Sequence, residues 1–145
     1  MNNPEIVMIG LGYIGLPTAA LIASNSVYVH GVDINQNVVE TINQGKVHIV
    51  EPELDYAVAN AVKEGYLKAS GNPVEASTYI IVVPTPFKAK NEPDISYVEA
   101  ATRGLLQLFK AGDLYIIEST SPVGTTEKMM SLIYRERPEL KDKLH

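Results

Sequence analysis

The sequence predicts an α/β fold, a doubly wound parallel sheet in one domain, and three observations carry that prediction. Short apolar, β-branched runs recur along the chain, at residues 6–9, 79–83 and 114–117, each with the length of a buried strand. Segments of helical periodicity separate them, and strands alternating with helices imply parallel pairing through right-handed crossovers. The first run also leads directly into Gly10-Leu11-Gly12-Tyr13-Ile14-Gly15, a complete G-x-G-x-x-G followed by a helical segment. Strand, glycine turn and helix in that order form the phosphate cradle of a Rossmann-type domain.

Each glycine has its own reason in that cradle. Gly10 permits the tight turn, Gly12 lets a diphosphate approach the backbone, and Gly15 allows close helix–strand packing. The helix start then favours negative charge. Tyr13 and Ile14 occupy the variable positions of the loop. Pro17 is comfortable only in a first helical turn, so the helix starts near Gly15 and runs over residues 16–23, with Leu16, Ala19, Ala20 and Ala23 inward. Asn25 is expected to end it.

Residues 26–32 read as the second strand, and Asp33 closes it. An acid at this spacing, at this place, is the group that accepts hydrogen bonds from the adenosine ribose of a dinucleotide. The following Ile34-Asn35-Gln36-Asn37 offers no Arg or Lys for a 2′-phosphate, so NAD is favoured over NADP. The bland alternative makes Asp33 a helix N-cap and the glycines a plain turn.

A second helix is expected over residues 36–43, with Val38, Val39 and Ile42 as its apolar stripe and Gly45 as its stop. Pro52 suits the first turn of a third helix running to about Lys63, and Gly65 stops it. Residues 67–70 read as a short strand, and residues 74–77 as one helical turn. The strand at residues 79–83 ends in Pro84-Thr85-Pro86, which cannot continue a ladder. A helix is expected over residues 95–110, then the fifth strand, then a last helix from Thr125 or Thr126. The end of the chain is charged, with Pro138 interrupting it.

Three post-strand loops would line one sheet edge, where ligands of such folds sit. Thr85, fixed between two prolines, either touches a cofactor ribose or diphosphate or belongs to a stiff loop without contacts. Residues 119–126 carry five hydroxyl side chains, Ser119, Thr120, Ser121, Thr125 and Thr126. A Thr125 or Thr126 N-cap accounts for one of them; a helix start facing the nicotinamide half accounts for more.

Composition excludes several classes. The 145 residues contain no cysteine, which removes disulfides, thiolate–metal sites and a cysteine nucleophile from this stretch. The net charge of −5, without a basic cluster, argues against nucleic acid and anionic membranes as partners. No run approaches the roughly 20 apolar residues of a membrane span. No secretory leader is recognisable, and a cytoplasmic location is expected. His30, His48 and His145 show no metal-ligand spacing, so no metal site is expected.

The motifs GLGYIGLPTA, GVDINQ, HIVEPEL, VPTPF with EPD, and ESTSPVGTTEKM together resemble the N-terminal domain of the UDP-glucose/GDP-mannose dehydrogenase family. That resemblance implies NAD as cofactor, with Tyr13, Ile14, Asp33, Thr85 and Thr126 at NAD-contacting positions. It implies that Thr120 helps to order a water beside the reacting carbon. It also implies a homodimer and oxidation of a nucleotide sugar's C6 alcohol to the acid with two NAD+, through a cysteine-held aldehyde. The cysteine, the catalytic lysine, the dimerisation region and the nucleotide-sugar domain have no counterpart here. The chain is therefore expected to be the cofactor domain alone, lacking the family's last strand of this sheet, binding NAD but not completing catalysis. A non-catalytic nucleotide-binding module and a β-hydroxyacid type of dehydrogenase domain are the competing readings, and the five motifs weigh against the second.

Overall fold

The computed structural model describes residues 3–145. Five parallel strands form one sheet in the order β3-β2-β1-β4-β5. In chain order the elements are β1 (Ile6–Ile9), α1 (Gly15–Ala23), β2 (Val29–Val32), α2 (Gln36–Asn43), α3 (Leu54–Lys63), β3 (Leu67–Ser70), β4 (Thr78–Ile81), α4 (Ser96–Leu105), β5 (Leu114–Ile117) and α5 (Thr125–Glu136). The doubly wound α/β class expected from the sequence is therefore the observed one.

The strands stand level. Ile6 lies opposite both Val29 and Thr78, and Thr78 lies opposite Leu114, so all strands end at one edge. Alternation along each strand splits the core in two. Met8, Val29 and Ile80 face a layer with Leu16, Ala19, Ala20, Ile42 and Val58 from α1, α2 and α3. Val7, Tyr79, Ile81 and Tyr115 face the other, with Val98, Leu105, Met129 and Ile133 from α4 and α5. The small Ala19-Ala20-Ala23 face lets α1 lie close to the sheet, as its sequence implied.

Several boundaries differ from the sequence expectation. Residues 74–77 form no helical turn; Val74 and Ala76 instead pack against the second core layer. Pro52 precedes α3 rather than opening it, because Glu53 adopts the left-handed region at φ 63° and the helix starts at Leu54. α1 ends at Ala23, and the Asn25 amide donates back to the Leu21 carbonyl at 2.9 Å.

α4 stops at Leu105 rather than continuing to Lys110. The Arg137 guanidinium donates to the carbonyls of Leu106 and Phe109, and the first of these is an acceptor that a helix running to Lys110 would have used internally. The end of α5 thus terminates its neighbour. The charged tail is also part of the core: Leu140 and Leu144 are buried there. His145 lies along the free edge of β5, its N–H donating to the Asp113 carbonyl and its carbonyl accepting from the Tyr115 N–H.

Candidate functional site

At the carboxyl edge of the sheet the strand order reverses between β1 and β4, the place where doubly wound sheets open a crevice. A cavity of about 940 Å³ occupies it. Its lining brings together the glycine loop, Asp33 and Ile34 after β2, Gly71 and Pro73 after β3, residues 82–86 after β4, and residues 118–120 after β5.

The glycine loop divides by geometry. Gly10 has φ +102°, and a Cβ there would lie 2.3 Å from the Val82 carbonyl oxygen. A Cβ on Gly15 would lie 1.9 Å from the Gly10 carbonyl oxygen. Both positions therefore admit only glycine. Gly12 is different: nothing lies within 4 Å of its Cβ position, so the space above it belongs to the cavity. No side chain caps α1, and no acid stands in its first turn. An open backbone surface at an uncapped helix start fits a diphosphate. Tyr13 and Ile14, exposed at 68% and 58%, form the apolar rim.

Asp33 is half-buried at the end of β2, with both carboxylate oxygens engaged. Oδ2 accepts the Leu11 N–H at 3.1 Å, and Oδ1 accepts the Asn35 N–H at 2.9 Å. Asp33 does not cap α2; Asn35 does, accepting the Asn37 N–H at 3.0 Å. Each oxygen keeps acceptor capacity toward the cavity. The only charged side chains among the described residues lining the cavity are the acids Asp33 and Glu118. None of these described lining residues is a base that could hold a 2′-phosphate.

Thr85 and Thr120 both line the cavity, from the loops after β4 and β5. Ser119 ties these loops together, its hydroxyl donating to the Val83 carbonyl at 2.8 Å. Gly15 contributes packing rather than lining. Thr126 is exposed on α5 and is not brought into the cavity. The expected threonine cap is absent as well: Gly124, at φ +88°, holds the N-cap position, and the Thr125 hydroxyl donates to the Pro122 carbonyl at 2.7 Å. Gly71, Pro73 and Glu118 are lining residues that the sequence did not single out. Their signal was positional, since each follows a strand that ends at the same edge.

Among the described residues no group of three or more His, Asp or Glu side chains is placed to hold a metal. Among the described residues no helix is long and apolar enough to cross a membrane.

Fold and crevice define a dinucleotide-binding domain. The family model for the UDP-glucose/GDP-mannose dehydrogenase family, NAD binding domain, matches residues 4–145, and the chain belongs to that family. It is 56% identical over 140 residues to the UDP-N-acetyl-D-mannosamine dehydrogenase of Escherichia coli K12, covering 97% of this chain and 33% of that protein. It is 53% identical over 135 residues to an NDP-N-acetyl-D-galactosaminuronic acid dehydrogenase of Ralstonia nicotianae, covering 93% of this chain and 32% of that protein. A UDP-D-ManNAc dehydrogenase structure from Pyrococcus horikoshii superimposes with TM-score 0.88 at 42% identity, over 92% of this chain and 32% of that one. The chain thus spans about a third of the length of these relatives.

Proposed function

We propose that this chain is the NAD-binding part of a UDP-N-acetyl-D-mannosamine 6-dehydrogenase, an enzyme oxidising the C6 alcohol of its UDP-sugar to the uronate. The observation that carries this is the crevice itself: the Gly12 opening, the Asp33 carboxylate, Thr85 and Thr120 surround one cavity, in a chain 56% identical to such an enzyme.

In this reading the α1 start and the Gly12 backbone receive the diphosphate, and Asp33 accepts the adenosine ribose hydroxyls. Thr85 contacts a ribose or the diphosphate of the cofactor, and Thr120 orders a water near the reacting carbon. Thr126 contacts the cofactor from the first turn of α5, where its side chain is exposed, although it lies outside the cavity lining. Bound NAD+ would supply the hydride acceptor. The remaining groups of the reaction, including a nucleophilic thiolate, come from outside these residues, which contain no cysteine. The whole enzyme acts as a homodimer.

The Ralstonia relative, at 53% identity, makes another nucleotide-sugar dehydrogenase the alternative, since the sugar would be read by residues outside this domain. Calorimetry with NAD+ and NADP+ tests the cofactor reading. NAD+ should bind with clear preference; NADP+ binding at least as tightly would overturn the role given to Asp33. The sugar is tested by assaying the full-length enzyme on UDP-N-acetyl-D-mannosamine against its epimers.

A further inference from the structure

His30 sits on β2, 95% buried by its 5% exposure, three residues before Asp33 and outside the crevice lining. Its ring Nε2 lies 2.8 Å from the Ser70 hydroxyl at the end of β3. The Ser70 hydroxyl donates to the Asn72 carbonyl at 2.6 Å and accepts the Asn72 N–H at 3.3 Å. With its one proton directed at that carbonyl, Ser70 must accept from His30, so Nε2 carries the hydrogen. Burial and the nearby Lys68 ammonium hold the ring's pKa below its ordinary value, against the Asn72 backbone, which raises it.

The turn so fixed is a wall of the crevice. Gly71 and Pro73 line the cavity beside Asp33 and Ile34. The Ser70 carbonyl accepts the Asp33 N–H at 3.1 Å, so Ser70 is bound on one side to Asp33 and on the other to His30. Hydrogen bonding to a deeply buried imidazole is more than an exposed turn needs, since its own Ser70–Asn72 bonds already close it.

We propose that His30 is a positioning residue for the adenosine end of the cofactor, acting through Ser70 to hold the residue 71–73 turn against Asp33. This rests on the cofactor reading above. The His30 ring never touches the ligand; it sets the width of the slot next to the ribose-binding acid.

Calorimetry at neutral pH, well below the thermal midpoint, tests this with NAD+ and AMP as ligands. His30→Leu and Ser70→Ala should each weaken both ligands by roughly three- to tenfold, the worth of one buried neutral hydrogen bond. The double variant should lose no more than the larger single loss, because both act through one contact. His30→Gln, which retains an N–H near the Nε2 position, should return affinity to within about twofold of the unmodified chain. Unchanged affinity in Ser70→Ala overturns the proposal, and so do additive losses in the double variant. Should His30→Leu fail to fold, unchanged affinity in Ser70→Ala still overturns the proposal. Absence of NAD+ binding by the unmodified chain would overturn the cofactor reading, and this inference with it.

Discussion

The Leu11 N–H donates to Asp33 Oδ2 at 3.1 Å, across 22 positions of sequence. The bond joins the glycine loop to the end of β2, so the acid expected to grip a ribose also holds the diphosphate cradle in place. Asp33→Asn should therefore weaken both fold and ligand. An amide offers one carbonyl oxygen where two backbone N–H groups now find acceptors, and its NH2 would face a donor. We expect NAD+ affinity to fall by about 1–3 kcal/mol and the thermal midpoint to fall with it. Isothermal calorimetry and thermal melts check this; retained affinity with a lowered midpoint would leave Asp33 a structural role only.

The glycines separate stability from binding. Gly15→Ala forces a Cβ onto the Gly10 carbonyl oxygen, 1.9 Å away, and should cost more than about 2 kcal/mol of stability through backbone displacement. Gly12→Ala meets nothing within 4 Å and should change stability by less than about 0.5–1 kcal/mol. Its methyl would nevertheless occupy the diphosphate's approach, so NAD+ binding should drop at least tenfold. Urea melts of both variants, paired with NAD+ titrations, would refute the division if Gly12→Ala bound normally.

Stability should fall in alkali. The Tyr115 hydroxyl is buried and hydrogen-bonded to Thr102 Oγ1 at 2.6 Å, and burial pushes its pKa up to about 12 from 10. A folded pKa above the unfolded one favours the neutral form, so this stabilisation is complete below pH 10 and is lost as pH rises from 10 to 12. A shift of that size corresponds to about 2–3 kcal/mol. Tyr79, also raised by burial, acts in the same direction. Tyr115→Phe should flatten part of the slope. At neutral pH it should cost only about 1 kcal/mol, because the Thr102 hydroxyl keeps its bond to the Val98 carbonyl. Chemical denaturation at pH 7, 10 and 11.5 measures it.

The tail should matter to stability despite its charge. Leu140→Ala empties a buried position beside the edge-to-face rings of Tyr79, Phe109 and Tyr115 and should cost about 2–4 kcal/mol. Arg137→Ala leaves the Leu106 and Phe109 carbonyls without their donor and should cost about 1–3 kcal/mol. Both effects are read in urea melts, and a loss under about 0.5 kcal/mol in each would mean that the tail is detached in solution.

Much of the fold was legible because its signals are local. β1, α2, β3 and β5 fall where apolar runs, apolar alternation and turn residues put them, since a short run and a Gly stop need no distant partner. The glycine loop was legible for the same reason. Thr85 and Thr120 were placed at the edge by topology, because parallel strands end together. Thr126 was harder: the start of the helix that carries it is set by a left-handed Gly124, a backbone choice that a run of hydroxyls conceals.

By itself, then, the sequence determined the strand–turn–helix cradle, the acid after β2, the alternation that makes the sheet parallel, and the lack of a thiol. Each of these depends on residue identity at short spacing. The tertiary structure alone decided that Asp33 braces the cradle, that His30 reaches the cavity wall through Ser70, and that Arg137 ends α4. Those bonds join residues 22, 40 and 31 positions apart, and a hydrogen bond forms only where packing has brought its two ends within about 3 Å.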